Sequence, residues 1–218
     1  MKSKFYALAI QFEDVAANDG TVAIVNLLTC SNPQGRPSLH AWADQIHVWT
    51  GMAWQKYFYN SDIKTWSKDG ASDATTDSVK AGDTVFFVRS SRGAAGDTIT
   101  LSGGVHLATA PMSIDVVKSK YYFVSYPWPV AFGVASFKEC LSNPIGRPSL
   151  HAWADQVHRW TGMAWSKYYY NSDLKGFVKD GESSITTDKL EPGEGCFFVR
   201  SARGVDGDTL TFTKPEGL

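Results

Sequence analysis

The chain carries one sequence twice in tandem. Residues 31–101 align with residues 142–212 at a constant offset of 111 without a gap, and 47 of the 71 aligned pairs are identical. Two ungapped copies predict two copies of one folding unit. The 218 residues leave roughly 105 for each unit, which is a common size for a domain. We therefore predict repeat unit 1 over residues 1–110 and repeat unit 2 over residues 111–218.

The composition favours strands over helices. Aromatic residues make up 13% of the chain, and Thr, Val and Gly are abundant. Aromatic and β-branched residues suit strands, and glycine suits the turns between them. We predict an all-β fold with two tandem homologous β-sandwich or small-barrel units, containing short helical turns at most.

The clearest local pattern is a hairpin within residues 45–60. A Gly-Met pair separates two aromatic-rich runs, and glycine tolerates the positive φ that a type II′ turn needs at its first loop position. This register sets Trp49 opposite Trp54 and, in unit 2, Trp160 opposite Trp165. Such a cross-strand aromatic pair stabilises a hairpin by ~0.2–1 kcal/mol.

A second hairpin is predicted near the end of each unit. The strands GDTVFFVRS and GDTITL are joined by SRGAA, and GEGCFFVRS and GDTLTF by ARGVD. We expect Gly93 and Gly204 to supply an unusual backbone conformation in these loops. Residues 102–119 contain an apolar alternation and differ from a Gly/Ser tether, so we expect them to belong partly to the fold and the two units to pack together.

The candidate interface or ligand-platform residues are tryptophans and histidines that recur in both units. Buried tryptophans would form core, whereas exposed ones would form a stacking platform for sugar rings or an anchor for a protein partner. The sequence leaves all three interpretations open. The candidate residues are Trp42, Trp49, Trp54, Trp153, Trp160, Trp165, His47 and His158.

The sequence contains no motif that points to a reaction or a cofactor. His40 and His47 recur with an aspartate between them, but zinc sites favour closer or helical spacing and a third strong ligand. There is no G-x-S-x-G, phosphate loop or dinucleotide fingerprint. The turn from Asn60 to Gly70 offers carboxylates to Ca²⁺ without matching an EF-hand. We expect a non-enzymatic protein without a cofactor, and we keep calcium as the alternative.

The three cysteines have no cysteine counterparts in the other unit. Cys30, Cys140 and Cys196 align with Leu141, Thr29 and Val85, which excludes a disulfide framework repeated in each unit. We expect them to be small buried hydrophobic residues. A single bridge between Cys30 and Cys140 is the alternative.

Charge and hydropathy constrain the partners. The net charge is −1 with scattered Lys and Arg, which disfavours nucleic acid and anionic membranes and makes self-association easier. No apolar run reaches the ~18–20 residues of a membrane span. Residues 4–10 align with residues 120–126, so the N-terminal apolar run is predicted to be a strand, and any signal peptide would lie upstream.

The order of motifs resembles a loosely defined class of bacterial β-repeat domains found in predicted cell-surface and secreted proteins. The matching segments are the W-x-G-x-x-W hairpin at 160–165 and the P-G-x-x-x-F-F-V-R strand at 192–200. Unit 1 departs from the second motif at Ala81, and GRPSLHAW is not a feature of that class. The resemblance implies an all-β surface or structural module without established catalysis, located extracellularly or at the cell surface. A cytoplasmic location is the alternative.

The leading functional hypothesis is a structural protein that self-associates into an ordered homopolymer such as a fibre, tube or surface layer. A duplicated unit already contains one homologous interface, and repeating it between chains gives a ring or a filament. The terminal strands 5–12 and 209–213 are predicted to pair with neighbouring copies at sheet edges. The alternative is a bivalent carbohydrate-binding module that holds polysaccharide on exposed tryptophans.

Overall fold

The fold is all-β, as the composition predicts. The computed structural model describes residues 4–13, 20–37, 41–94, 96–105, 111–148 and 152–217 of the chain. Strands make up 45% of it and helices 6%. Within these described ranges, no helix is long and apolar enough to span a membrane.

The strands and short helices follow one another in chain order. The first half contains β1 (Lys4–Ala9), β2 (Phe12–Glu13), β3 (Thr21–Ala23), α1 (Ile24–Leu27), β4 (Leu28–Cys30), β5 (Gln45–Trp49), β6 (Trp54–Asn60), β7 (Thr65–Lys68), β8 (Ser78–Lys80), β9 (Thr84–Arg89), β10 (Ile99–Leu101) and β11 (Gly104–Val105). The second half contains β12 (Met112–Val116), β13 (Tyr121–Ser125), β14 (Phe132–Gly133), a 3-10 turn (Val134–Ser136), α2 (Phe137–Cys140), β15 (Gln156–Trp160), β16 (Trp165–Asn171), β17 (Gly176–Lys179), β18 (Lys189–Leu190), β19 (Gly195–Val199) and β20 (Asp208–Phe212).

Each half is built on a five-stranded antiparallel sheet. The strand order is β1-β9-β5-β6-β7 in the first half and β13-β19-β15-β16-β17 in the second. Five two-stranded ladders complete the described topology: β10–β4, β11–β2, β12–β20, β14–β18 and β3–β8. The segment between the halves contributes β11 to one of these ladders and β12 to another, so part of it belongs to the fold as expected.

The first hairpin has the predicted register in both halves. Trp49 pairs with Trp54 across the turn, and Trp160 pairs with Trp165. Gly51 has φ +90°, which is the left-handed conformation that the sequence requires there.

Alternation along the central strands sends side chains to two different apolar environments. Val85 and Phe87 on β9 belong to the core of the first half, whereas Phe86 between them lies on the opposite face of the sheet. On β19, Phe198 is a core residue and Phe197 lies on the opposite face. Both faces of each central strand are therefore covered, which explains their uninterrupted apolar sequences.

The cysteines are buried and free, as small hydrophobic residues would be. Cys30 and Cys140 do not form the alternative bridge between the halves. Burial raises the pKa of the Cys140 thiol to about 12 and also raises the pKa of Cys196. Thiols of this kind are poor nucleophiles at neutral pH.

The expected reason for two loop glycines is wrong. Gly93 and Gly204 do not have positive φ. A Cβ atom would lie 2.3 Å from Arg89 Nε at Gly93 and 2.4 Å from Arg200 Nε at Gly204. Glycine is needed at these positions because the loop passes directly over a guanidinium group.

Candidate functional site

The two five-stranded sheets face each other through aromatic side chains. The rings of Phe86 and Phe123 lie 4.9 Å apart, and Trp54 meets Phe123 edge-on at 5.6 Å. Trp49 meets Phe197 edge-on at 5.9 Å. Aromatic pairs at these distances contribute ~0.5–1.5 kcal/mol each beyond the burial of their area. Four of the candidate tryptophans thus belong to a contact inside the chain.

Hydrogen bonds across this contact are reciprocal. Trp49 Nε1 donates to the carbonyl of Tyr121 at 2.9 Å, and Trp160 Nε1 donates to the carbonyl of Phe5 at 3.1 Å. The aligned residues make the same bond in opposite directions, as they would about a twofold axis.

The backbone repeats that pattern. Ala9 N–H donates to the carbonyl of Gly193 at 2.9 Å, and Ser125 N–H donates to the carbonyl of Gly82 at 2.8 Å. A pseudo-twofold contact closes on itself, so repeating this contact is not a route to a filament.

The two candidate histidines lie at the rim of the aromatic contact. His47 Nε2 lies 2.7 Å from Gln45 Oε1, and His158 Nε2 lies 2.8 Å from Gln156 Oε1. Each ring also meets an aromatic ring of β1 or β13 edge-on, at 6.4 Å and 6.5 Å. His40 and His151, the other members of the repeated histidine pattern, lie outside the described residues.

The remaining two candidate tryptophans are exposed. Trp42 is 58% exposed and Trp153 is 57% exposed. An arginine lies against each ring, with Arg92 Cζ 5.4 Å from the Trp42 centroid and Arg203 Cζ 5.8 Å from the Trp153 centroid. The repeat therefore presents the same cation–aromatic pair to solvent twice.

The backbone under both exposed tryptophans is strained. Trp42 and Trp153 each have φ 71°, in the left-handed region that side chains other than those of Gly, Asn and Asp rarely adopt. Strain of this kind costs about 1–3 kcal/mol and must be held by surrounding contacts. Ser90 Oγ donates to the Trp42 carbonyl at 2.6 Å, and Ser201 Oγ donates to the Trp153 carbonyl at 2.5 Å.

A buried ion network anchors the segment that carries Trp42. The Asp44 carboxylate is 0% exposed, accepts from Gln34 N–H and Ser90 N–H at 2.8 Å each, and pairs with Arg89. Arg89 also pairs with Asp97. Burial raises the pKa of Asp44, while the backbone donors and the Arg89 charge oppose the rise. This network gives the ADQ part of the repeated GRPSLHAWADQ segment a structural role.

The second half repeats the network with less exposure. Arg200 pairs with Asp155 and Asp208, and its side chain is 0% exposed, whereas the Arg89 side chain is 12% exposed. Sequence reasoning missed this network because its members lie far apart in the chain, with Arg200 and Asp155 separated by 45 residues. The available signal was that one arginine and both aspartates recur at the same offset of 111.

The residues proposed for calcium are used by a turn. Asn60 Oδ1 accepts from the N–H of Asp62 at 3.0 Å, and Asn171 Oδ1 accepts from the N–H of Asp173 at 2.9 Å. Asp62 and Asp69 are exposed. In the part of the chain that the structure describes, no three His, Cys, Asp or Glu side chains are grouped to hold a metal ion.

Comparison with known proteins adds no relative. No protein-family model, curated protein or solved structure matches the chain. The resemblance to bacterial β-repeat domains stays a prediction.

Proposed function

We propose that the protein is a non-enzymatic structural subunit that self-associates through sheet edges, with the free edge of β10 as its docking site for a second copy. One observation carries the proposal. The last strands of the two halves have similar sequences, but among the described residues only the second has a paired neighbour on each side.

In the second half this strand is well covered. β20 pairs with β12 over five residues and is bridged to Leu141 on its other side. Leu210 and Phe212 are 0% exposed as a result. β12 therefore shows what kind of strand this edge accepts: an antiparallel segment with alternating apolar residues.

In the first half the aligned strand has a neighbour on one side only. Among the described strands, β10 pairs with β4 alone. Ile99 and Leu101, which align with Leu210 and Phe212, are half-buried, and Thr100 between them is exposed. The aligned residues are apolar in both halves. The halves differ in that β12 covers β20, whereas no described strand covers this side of β10.

The backbone of β10 directs to this edge groups that have no partner among the described residues. The carbonyl of Thr98 accepts from Ser31 N–H at 3.0 Å, which fixes the side of the ladder that faces β4. Because hydrogen-bonding directions alternate along an antiparallel strand, the N–H and C=O groups of Ile99 and Leu101 point away from β4. A row of such groups is a template for another strand.

A second copy offers a strand of the required kind. β12 pairs with β20 alone among the described strands, so its outer edge is also available. Joining β12 of one copy to β10 of the next forms a continuous sheet in the order β4-β10-β12-β20. Such a head-to-tail contact leaves one edge open on each end copy, so it continues from copy to copy and yields a filament when the successive rotations do not close into a ring. The net charge of −1 opposes this growth only weakly.

Light scattering over a concentration series tests the proposal. We expect the mean mass to grow continuously above the 23.9 kDa of one chain. Leu101→Pro removes an outward N–H without breaking a bond to β4, and we expect it to stop growth. Leu101→Ala loses a similar apolar side chain but keeps the N–H, and we expect it still to associate.

The proposal fails on either of two results. A monomer at all concentrations excludes self-association, and a mass that stops at a dimer excludes an open polymer. Circular dichroism of the proline variant separates lost association from lost folding.

A second candidate function is bivalent carbohydrate binding on Trp42 and Trp153. The observation that favours it is that both exposed rings sit on strained backbone with an arginine alongside. Trp49 and Trp160 are half-buried between the sheets and are poorer platforms. Polysaccharide pull-down tests the idea: Trp42→Ala and Trp153→Ala should each remove one of two sites, and unchanged capture by the double variant contradicts it.

A further inference from the structure

A cleft of about 600 Å³ opens where the two sheets meet. Its wall consists of seven Phe, Trp and Tyr side chains together with His47 and Lys56. Small-molecule sites commonly have volumes of about 300–1,000 Å³, so the cleft has room for a ligand of two fused rings. The cleft is separate from the β10 edge and from the exposed Trp42 and Trp153.

The wall lies across the pseudo-twofold axis. It includes Phe86 and its aligned partner Phe197, as well as Trp54 and its aligned partner Trp165. A ligand in the cleft that covers these four rings would occupy space that a symmetry-related ligand also needs. The cleft therefore fits one ligand per chain, although the sequence is present twice.

The lining selects for a flat ring more than for a sugar. Most of it is carbon, and Trp49 Nε1 already donates to the Tyr121 carbonyl. The hydroxyl groups of a sugar would lose water here and find few partners, which is costly. An aromatic ring loses little on leaving water and gains edge and face contacts with the wall.

One charge in the wall selects the sign of the ligand. Lys56 is half-buried, and no carboxylate among the described residues forms an ion pair with it. The aligned Lys167 is exposed and does not line this cleft. Because a half-buried lysine commonly keeps its ammonium group in water, the Lys56 ammonium at this apolar wall attracts an anion with the modest strength of a partly exposed charge pair.

We propose that this cleft binds a flat aromatic ring bearing one carboxylate, with the ring against the aromatic wall of the cleft and the carboxylate against the Lys56 ammonium. The class comprises aromatic acids of one or two fused rings. The inference does not depend on self-association, because no residue of β10 contributes to the cleft.

Titration calorimetry with 2-naphthoate, and with 2-naphthamide as its uncharged counterpart, tests the proposal. We expect one naphthoate per chain, quenching of tryptophan fluorescence, and about fivefold weaker binding of the amide, the size of one partly exposed charge pair. Lys56→Gln should abolish the difference between acid and amide. Lys167→Gln is the matched control and should preserve it.

Three results overturn the proposal. They are the absence of naphthoate binding, a stoichiometry of two per chain, and an acid-over-amide preference that survives Lys56→Gln. The Leu101→Pro variant keeps the cleft, so we expect it to bind naphthoate as the parent does. Titrating this variant therefore distinguishes a loss of ligand binding from a loss of self-association.

Discussion

The two halves of the chain share a sheet order and a hairpin register, yet their last strands lie in different surroundings. β20 is enclosed by β12 and Leu141, whereas β10 has β4 as its one neighbour within the described part of the chain. The difference comes from β12, which precedes the second sheet in the chain and lies outside the aligned repeat. Local sequence thus determines each sheet, and a segment outside the repeat determines which edge stays open.

The presence of β12 in the second half also changes the burial of the ion networks. Val116 on β12 is 0% exposed and pairs with Asp208, so β12 covers one end of the network in the second half. Arg200 is fully buried there, and Arg89 in the first half keeps some contact with water. One set of charges therefore exists in two degrees of burial within one molecule, which makes the halves controls for each other.

The largest expected effect is the loss of the network arginine. Arg200→Met leaves two carboxylates, Asp155 and Asp208, without their counter-charge in a buried site, and we expect a loss of about 3–5 kcal/mol of unfolding free energy. Arg89→Met should cost less because water reaches that network. Urea denaturation of both variants measures the difference, and equal losses would contradict the argument from burial.

The next largest effect concerns the loop glycines. Gly204→Ala drives a methyl group against Arg200, which has no room to move, and we expect a loss of about 1–3 kcal/mol. Gly93→Ala should cost less, since Arg89 can shift towards solvent. Thermal unfolding of the two variants makes the comparison, and a larger shift for Gly93→Ala would reverse our interpretation.

A smaller change in unfolding free energy is expected at the two exposed tryptophans, whose backbone conformation is the same in both halves. Trp42 and Trp153 have the same φ of 71°. Replacing either by Asn, which tolerates this conformation, should leave the unfolding free energy unchanged or raise it by up to about 1 kcal/mol. The two substitutions should have equal effects in urea titrations. A loss above 1 kcal/mol in either half would show that the ring itself is needed for folding.

The smallest effect is the acid response of a repeated tyrosine–aspartate pair. The Lys68 ammonium and the Tyr57 hydroxyl lower the pKa of Asp77, and the Tyr168 hydroxyl lowers that of Asp188. A lowered folded-state pKa gives stability that is complete above the unfolded value of 3.8 and is lost as pH falls through the folded value.

The side chains of both aspartates are more than one-third exposed. We therefore expect each pair to contribute well under about 1 kcal/mol to the free energy of unfolding. The urea concentration at the unfolding midpoint should decrease as the pH is lowered from about 5 to about 2. The decrease should be smaller in the Asp77→Asn variant. An equal fall in the variant and the parent would rule out this aspartate as a cause.

What could be predicted from the sequence was local. A glycine in a two-residue loop fixed the pairing of Trp49 with Trp54, because turn geometry and register are set within a few residues. By contrast, the sequence presents Trp42 and Trp49 as equivalent candidates. One is exposed and the other lies between the sheets, because contacts with residues far along the chain decide burial.

The same limit explains the missed features. Asp44 and Arg89 form a contact although they lie 45 residues apart in the chain. No local sequence pattern around either residue predicts this contact. Ile99 and Leu210 look alike in sequence, and only β12 makes one of them core. Gly93 lies in a sequence typical of a turn. The structure instead requires glycine there because the Arg89 guanidinium group lies directly beneath it.

The reciprocal bonds from Trp49 and Trp160 carry one more consequence. Each half holds a donor and an acceptor for the other, so the chain is in effect a dimer whose subunits are joined covalently. Tethering replaces a bimolecular encounter with an intramolecular one, which corresponds to an effective concentration of about millimolar for short connections. The aromatic faces therefore stay shielded at any dilution, with far weaker intrinsic attraction than two separate polypeptides would require.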